Sequence, residues 1–322
     1  MITIRSIRAE EAAWFAALGG SDVRDALTDG WDDGSSRPEW TLVAEDDGRP
    51  IARAALWAAP MGGGITTLEG VAAFPWVDFD HPRHVEAFRM LADGLAERLA
   101  LHGPTTLDRR LNPEVHADVD AMRRLLEASG FELFQEKSGF TWTPDIRPPS
   151  YPSGIRMASL SDVGRHAYRT VMAATTAGTL DRNDRYYIGR CQPGPWAEQI
   201  MAALEAGDEK SWLLGYHGEE PAGFVAVGTF DEKTWTIVHV GVVPAHRGHG
   251  HVSELLAAAD RVARERGFAS GLSDVDVLNA PMIAALERAG HRSDQRPWHI
   301  WHYRREVGQR PPGVSPSAMP PS

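Results

Sequence analysis

The chain has 322 residues, 43% of them hydrophobic and 24% charged, with a formal net charge of -11. That length exceeds one average domain, and an acidic balance without a long Lys/Arg run excludes a general nucleic-acid binder. Cys191 is the only cysteine, which excludes an intrachain disulfide and a thiolate metal cluster and favours the cytoplasm.

Met1-Ile2-Thr3-Ile4-Arg5 meets charge too early for a signal peptide, and no apolar run is long enough to cross a bilayer, so no membrane partner is expected. Ile4-Arg5 opens a strand followed by a helix. Thr41-Leu42-Val43 through Arg49-Pro50-Ile51-Ala52 then reads as strand, acidic turn, strand. It lines up without a gap on Trp212-Leu213-Leu214 through Glu220-Pro221-Ala222-Gly223. Met122, Leu126, Glu127 and Gly130 share the spacing of Met282, Leu286, Glu287 and Gly290, each set on an amphipathic helix closed by a glycine. Ile155-Arg156 repeats Ile4-Arg5. Three matches in the same order make the chain a duplicated α/β domain. The proline-rich stretch from Pro144 to Gly154 removes backbone donors and reads as an extended linker. The expected division is 1–145, a linker 146–154, 155–306, and a tail 307–322 whose few apolar side chains leave it disordered.

In the second copy, Trp235 to Val243 mixes β-branched and aromatic residues like a buried strand, and Pro244 ends it. Leu255, Leu256, Ala259, Val262 and Ala263 recur at helical spacing, with Gly267 as the stop. The turn Arg247-Gly248-His249-Gly250-His251 therefore stands at a helix N-terminus. There the first N–H groups lack internal partners and the dipole favours an anion. Gly248 and Gly250 let the backbone come close, and Arg247 offers a charge-assisted contact. The same glycines also suit a plain turn that caps a helix. His246, His249 and His251 crowd this turn, but no carboxylate at metal-ligand spacing completes a metal site, and phosphate contacts explain them better. A dinucleotide fold fits less well, because its third glycine falls at Ser253.

Two motifs in order resemble the GNAT acetyltransferase superfamily. Val242-Val243-Pro244-Ala245-His246-Arg247-Gly248-His249-Gly250 looks like that family's strand, its Val-x-Pro exit and its pyrophosphate loop, with Val252 where Gly or Ala is usual. Asn279-Ala280-Pro281-Met282 through Leu286-Glu287-Arg288-Ala289-Gly290-His291 is similar to its Asn-led helix. The resemblance implies an α/β fold of two tandem domains, each a splayed mixed β-sheet flanked by helices. It implies acetyl-CoA as acyl donor, with pantetheine pairing along Gly241, Val242 and Val243. The pyrophosphate would lie over Arg247, Gly248, His249, Gly250, His251 and Val252, and the cofactor arm would meet Asn279, which also suits an N-cap. The first copy echoes the pattern more weakly. Glu69 to Trp76 leads into Asp78, Asp80 and His81, and Val119 replaces the asparagine, so this copy is expected to have lost the cofactor.

The expected reaction is N-acetylation of a small-molecule amine by direct attack on the thioester. A protonated amine needs a base, and His239 on the strand nearing the splay is the leading candidate, although a packed strand histidine fits equally. Glu254 is the weaker alternative, since it also suits the helix N-terminus. The family's usual tyrosine acid falls at Leu286, which leaves Ser253, Ser273 or water. The same departure keeps open a non-catalytic acyl-CoA-binding regulatory or scaffolding protein. Asp181, Asp184 and Tyr186 or Tyr187, after the first helix of the second copy, are candidates to hold a cationic acceptor, or are solvated loop groups. Trp298 and Trp301 line the pocket or fill core. A monomer or homodimer is expected.

Overall fold

The computed structural model describes residues 1–20, 23–57, 69–101, 106–112, 118–147, 154–203, 209–293 and 297–304. The chain forms two compact units, one of Met1–Phe134 with Ile300–Ser322 and one of Gln135–His299.

The first unit contains β1 (Ile2–Ser6), α1 (Ala12–Ala17), α2 (Arg24–Asp32), β2 (Thr41–Asp46), β3 (Arg49–Trp57), β4 (Glu69–Val77), α3 (His84–Ala100), β5 (Thr106–Leu111) and α4 (Val119–Ala128). β6 (Glu132–Trp142) begins in it and continues into the second unit. The second unit follows with β7 (Arg156–Ser159), α5 (Leu160–Val163), α6 (Arg165–Thr175), α7 (Arg182–Cys191), α8 (Pro193–Ala203), β8 (Trp212–His217), β9 (Glu220–Thr229) and β10 (Thr234–Val242). It closes with α9 (His251–Glu265), β11 (Ser270–Asp276), α10 (Ala280–Arg288), β12 (Arg292–Ser293) and the start of β13 (Trp298–Arg304). Strands run in the order β1-β2-β3-β4-β5-β13 in the first unit and β7-β8-β9-β10-β11-β6 in the second.

The expected boundary lay at 146–154, yet the units divide at Phe134 and at His299. Packing explains the difference. Gly271 to Asp276 of β11 pair antiparallel with Trp142 to Lys137 of β6, which assigns most of β6 to the second unit. Trp301 and Tyr303 are buried with Leu125, Leu126 and Phe131, so the end of β13 completes the first unit's core. Trp301 therefore fills core. Residues 148–153 of the linker and the tail 307–322 lie outside the described residues.

The duplication is visible in hydrogen bonds. β2 and β3 shift register between Ala44 and Glu45, and β8 and β9 shift at the corresponding Gly215 and Tyr216, with Pro50 and Pro221 opposite. After α4, Gly130 (φ +91°) and Phe131 donate to the Glu127 and Leu126 carbonyls; after α10, Gly290 (φ +90°) and His291 donate to Glu287 and Leu286. Both are Schellman closures, which place glycine in the left-handed region at no steric cost. One matched pair of residues needs correction. Thr3 lies opposite Glu45 and Arg156 opposite Tyr216, so Arg156 corresponds to Thr3 and not to Arg5.

α9 is held by Leu255, Leu256, Ala259 and Ala263, all fully buried. Truncating either leucine to alanine costs about 2–5 kcal/mol, since little else can collapse into the space. No described helix is long and apolar enough to cross a membrane.

Candidate functional site

β10 and β11 run parallel and pair over only three residues, from Thr234 with Ser270 to Thr236 with Leu272. Beyond Thr236 they separate, while β10 stays paired to β9 as far as Val242. A bulge at Val238 interrupts that second ladder and re-aims the residues after it. The result is a strand with one backbone edge uncovered, opening onto a cavity of about 450 Å³ lined by His239, Val240, Gly241 and Val242. Gly241 is required where α6 ends, because a Cβ there would stand 2.7 Å from Thr175 Oγ1 and 3.1 Å from the Phe224 ring.

The glycine turn closes one end of the cavity. Gly248 (φ +82°) and Gly250 (φ +84°) take conformations that other residues resist, and nothing stands within 4 Å of either would-be Cβ. Among the described residues, the N–H groups of Gly250, His251 and Val252 meet no backbone carbonyl, whereas Ser253 donates back to Gly250. Three adjacent donors at the start of a helix form a cradle with the geometry and charge of an anion site. The sequence expectation needs one change here. The Arg247 guanidinium donates to the carbonyls of Val242 (3.0 Å), Gly178 (3.3 Å) and Thr175 (2.8 Å). It braces the α6–α7 loop against the end of β10, which leaves the backbone N–H groups as the donors free to face an anion.

Not every predicted cofactor residue faces the cavity. Val243 continues the ladder by donating to Ala222 and does not line it, and exposed His249 stacks on His251 instead. Val252 and Asn279 do line it. Asn279 caps α10, with Oδ1 accepting from the Met282 N–H, so its amide NH2 is the part left for a ligand. His217 and His246 stand 5.5 and 6.1 Å from His251, ring to ring. Among the described residues no group of three or more side chains is placed to hold a metal ion.

His239 lies between aromatic rings, edge to face with Trp196 at 5.1 Å and stacked on Phe224 at 5.8 Å. Its Nε2 is 3.5 Å from Asp184 Oδ2. Burial presses the imidazole pKa down, but the Asp184 and Asp181 carboxylates outweigh burial, and the pKa lies above the ordinary 6.5. Of the other expected catalytic groups, neither reaches the cavity. Glu254 accepts from the Gly154 and Ile155 N–H groups at 2.8 and 3.1 Å and from His251 at 3.1 Å, so it anchors the chain where the second copy begins. Ser253 is 3% exposed in the first turn of α9 and lines no part of the cavity. Leu286, at the usual tyrosine position, is buried with Phe140, Leu256 and Val275.

Only Asp184 of the acceptor candidates lines the cavity. Asp181 is the N-cap of α7, accepting from the Asp184 N–H, and its second oxygen accepts from Gln135. Burial and the neighbouring charges of Asp184 and Asp276 raise its pKa against the pull of Lys137. Tyr186 is buried under the Arg190 guanidinium at 3.5 Å, and Tyr187 packs in core. Trp298 stands 5.0 Å from the Lys137 ammonium and is not part of the cavity. Thr175 and Trp196 form wall that sequence reasoning missed. One usable signal existed: Asp181, three residues before Asp184, has N-cap spacing.

Residues 180–291 match the acetyltransferase (GNAT) family. No curated protein is significantly similar in sequence. A solved GCN5-related N-acetyltransferase from Sphaerobacter thermophilus superposes with a TM-score of 0.60 at 17% identity, over 94% of this chain and 95% of that one. A tandem GNAT protein from the clavulanic acid biosynthesis pathway gives 0.55 at 16% identity, over 94% and 98%. The glucosamine N-acetyltransferase region of a fungal multi-domain GH3 beta-N-acetylglucosaminidase gives 0.59 at 14% identity, over 94% of this chain and 38% of that one. At such identities the likeness is one of fold. The splayed β10 and the glycine cradle at α9 both lie within residues 180–291, the stretch that is similar to the acetyltransferase (GNAT) family, and the solved structures share the fold over most of the chain.

Proposed function

We propose that the C-terminal domain is an acetyl-CoA-dependent N-acetyltransferase acting on the amine of a small molecule. The observation that carries this reading is the uncovered β10 edge leading straight to the cradle of Gly250, His251 and Val252. An uncovered strand edge suits the amides of a pantetheine arm, and the cradle suits a pyrophosphate. Acetyl-CoA, when bound, supplies a thioester whose carbonyl carbon forms the new C–N bond while the C–S bond breaks and the CoA thiolate takes up a proton.

The chain's own work is to position the amine and move its proton. The Asp184 carboxylate attracts the ammonium, and the His239 imidazole takes one proton from it, leaving a lone pair for attack. The resulting imidazolium is stabilised by Asp184 and by the faces of Trp196 and Phe224. Leu286 is buried and neither Ser253 nor Ser273 lines the cavity, so water relays to the thiolate the second proton that the nitrogen loses as the amide forms. A thiol near pKa 8.5 makes that tolerable.

Calorimetry with acetyl-CoA tests the site on the intact protein and on Gly250→Asp, with circular dichroism to show that the variant folds. The expected result is one site per chain, weakened by at least about a hundredfold in the variant, where a carboxylate and a strained φ both oppose the anion. Equal binding by a folded variant overturns the cradle. Leu286 motivates a second reading, a protein that binds acyl-CoA without chemistry. Binding without thiol release for any amine would establish it.

A further inference from the structure

The polar groups that line the cavity are almost all used within the chain, and this limits what it accepts. Thr175 and Thr176 donate to the Met172 and Ala173 carbonyls at 2.7 Å each, and Thr179 donates to Asp184 at 3.3 Å. Arg247 is the only Arg or Lys among the described lining residues, and its guanidinium is committed to three carbonyls. Among the described residues Asp184 is the only lining carboxylate; Asp181 and Asp276 do not line the cavity and both accept from the Gln135 amide. Besides the histidines His239, His246 and His251 and the Asn279 amide at the cradle end, the larger side chains that remain are apolar: Leu180, Trp196, Val240, Pro281 and Met282. Leu180 is 42% exposed, and Leu278, just before the lining Asn279, is 65% exposed.

We infer that the acceptor is a monoamine with an apolar body, an arylalkylamine or alkylamine, whose ammonium meets Asp184. The inference rests on the transferase reading above and narrows its acceptor. An amino acid would bring its carboxylate toward Asp184 with no uncommitted cation to meet it. An amino sugar would bury several hydroxyls opposite threonines that can still accept but whose own protons are already donated, so the hydroxyl oxygens lose their water donors without replacement. A ring or alkyl chain loses nothing there and covers Leu180 and Trp196.

The test compares phenethylamine, phenylalanine and glucosamine as acceptors for the full chain with acetyl-CoA, following thiol release at pH 8. Phenethylamine is expected to exceed each of the others in kcat/KM by at least about tenfold, the discrimination typical of one unmatched polar group. Leu180→Arg gives a carboxylate a partner and is expected to narrow the preference over phenylalanine. Equal or better use of phenylalanine or glucosamine by the native protein overturns the acceptor assignment and leaves N-acetyl transfer standing. Thiol release with none of the three, from a protein that binds acetyl-CoA by calorimetry, overturns both.

Discussion

The two parallel strand pairs make an instructive contrast. β4 and β5 pair over three residues, from Glu69 with Thr106 to Val71 with Asp108, and then part as β10 and β11 do. The backbone is shared and the contents differ. Register equates Trp76 with Gly241 and Arg53 with Phe224, since Arg53 faces Trp76 and Phe224 faces Gly241 at matching places. Arg109 occupies the place of Ser273 and reaches across to the Ala72 carbonyl at 3.2 Å, on the strand edge that β10 leaves uncovered. Arg53 donates to the Phe15 carbonyl and lies over the Phe15 ring at 4.7 Å. Burial lowers both guanidinium groups to about 10, so they remain charged at neutral pH. Before α3, Asp78 accepts from Arg49 and from the Asp80 N–H, which puts carboxylate where the second unit has an open cradle. A few side chains thus fill in the first unit what is a cavity in the second, without changing the strand order.

The largest effect expected from this contrast comes from Ser273→Arg. An arginine there should repeat the reach of Arg109, cover the β10 edge and weaken acetyl-CoA binding by about a hundredfold, about 2.7 kcal/mol. Calorimetry reads it, and native affinity in a folded variant would mean that Arg109 does not account for the difference between the units.

Asp184→Asn should act next most strongly. Without that carboxylate, burial and the Lys137 charge are opposed by Asp181 alone, so the His239 pKa falls. The acid limb of the kcat/KM profile should move to lower pH, while the plateau at high pH falls about tenfold because the base is weaker. An acid limb that stays in place removes His239 as the titrating base. The sign for stability is the reverse of a carboxylate's. The raised histidine pKa adds stability that is fully present below about 6.5 and is lost as pH rises through the folded value. Asp184→Asn should therefore destabilise more at pH 5.5 than at pH 9, as denaturant midpoints would show.

The smallest effects separate the two Schellman glycines. Alanine at either costs about 1 kcal/mol for its left-handed φ. At Gly290 the new Cβ would also stand 2.8 Å from Ile146 Cγ2, whereas at Gly130 the nearest atom is 3.6 Å away on Tyr303. Gly290→Ala should lower the melting temperature more than Gly130→Ala; the opposite order would show that Ile146 moves aside easily.

What the sequence made legible was local. The glycine turn, the strand before Pro244 and the paired helix closures all follow from spacing within about ten residues, where period and φ preference act. What escaped it was long-range. Arg247 meets the Thr175 carbonyl 72 residues away, and Glu254 meets the Gly154 N–H 100 residues away, so both charges looked uncommitted when read along the chain. His239 stands out by its place on the strand and Asp184 by its charge after the first helix, but nothing in the spacing brings α7 to β10, so their 3.5 Å approach could not be read along the chain. The exchange at β6 and β13 was invisible for the same reason: either end of the chain has a strand pattern that suits either unit.

That exchange bears on the order in which the molecule is made. The first unit needs Trp301 and Tyr303 to close its core, so it cannot be completed when residue 134 leaves the ribosome. At about 5–20 residues per second it waits roughly ten to thirty seconds for its last strand. The two units are therefore finished together, and cutting the gene between them would yield two incomplete products.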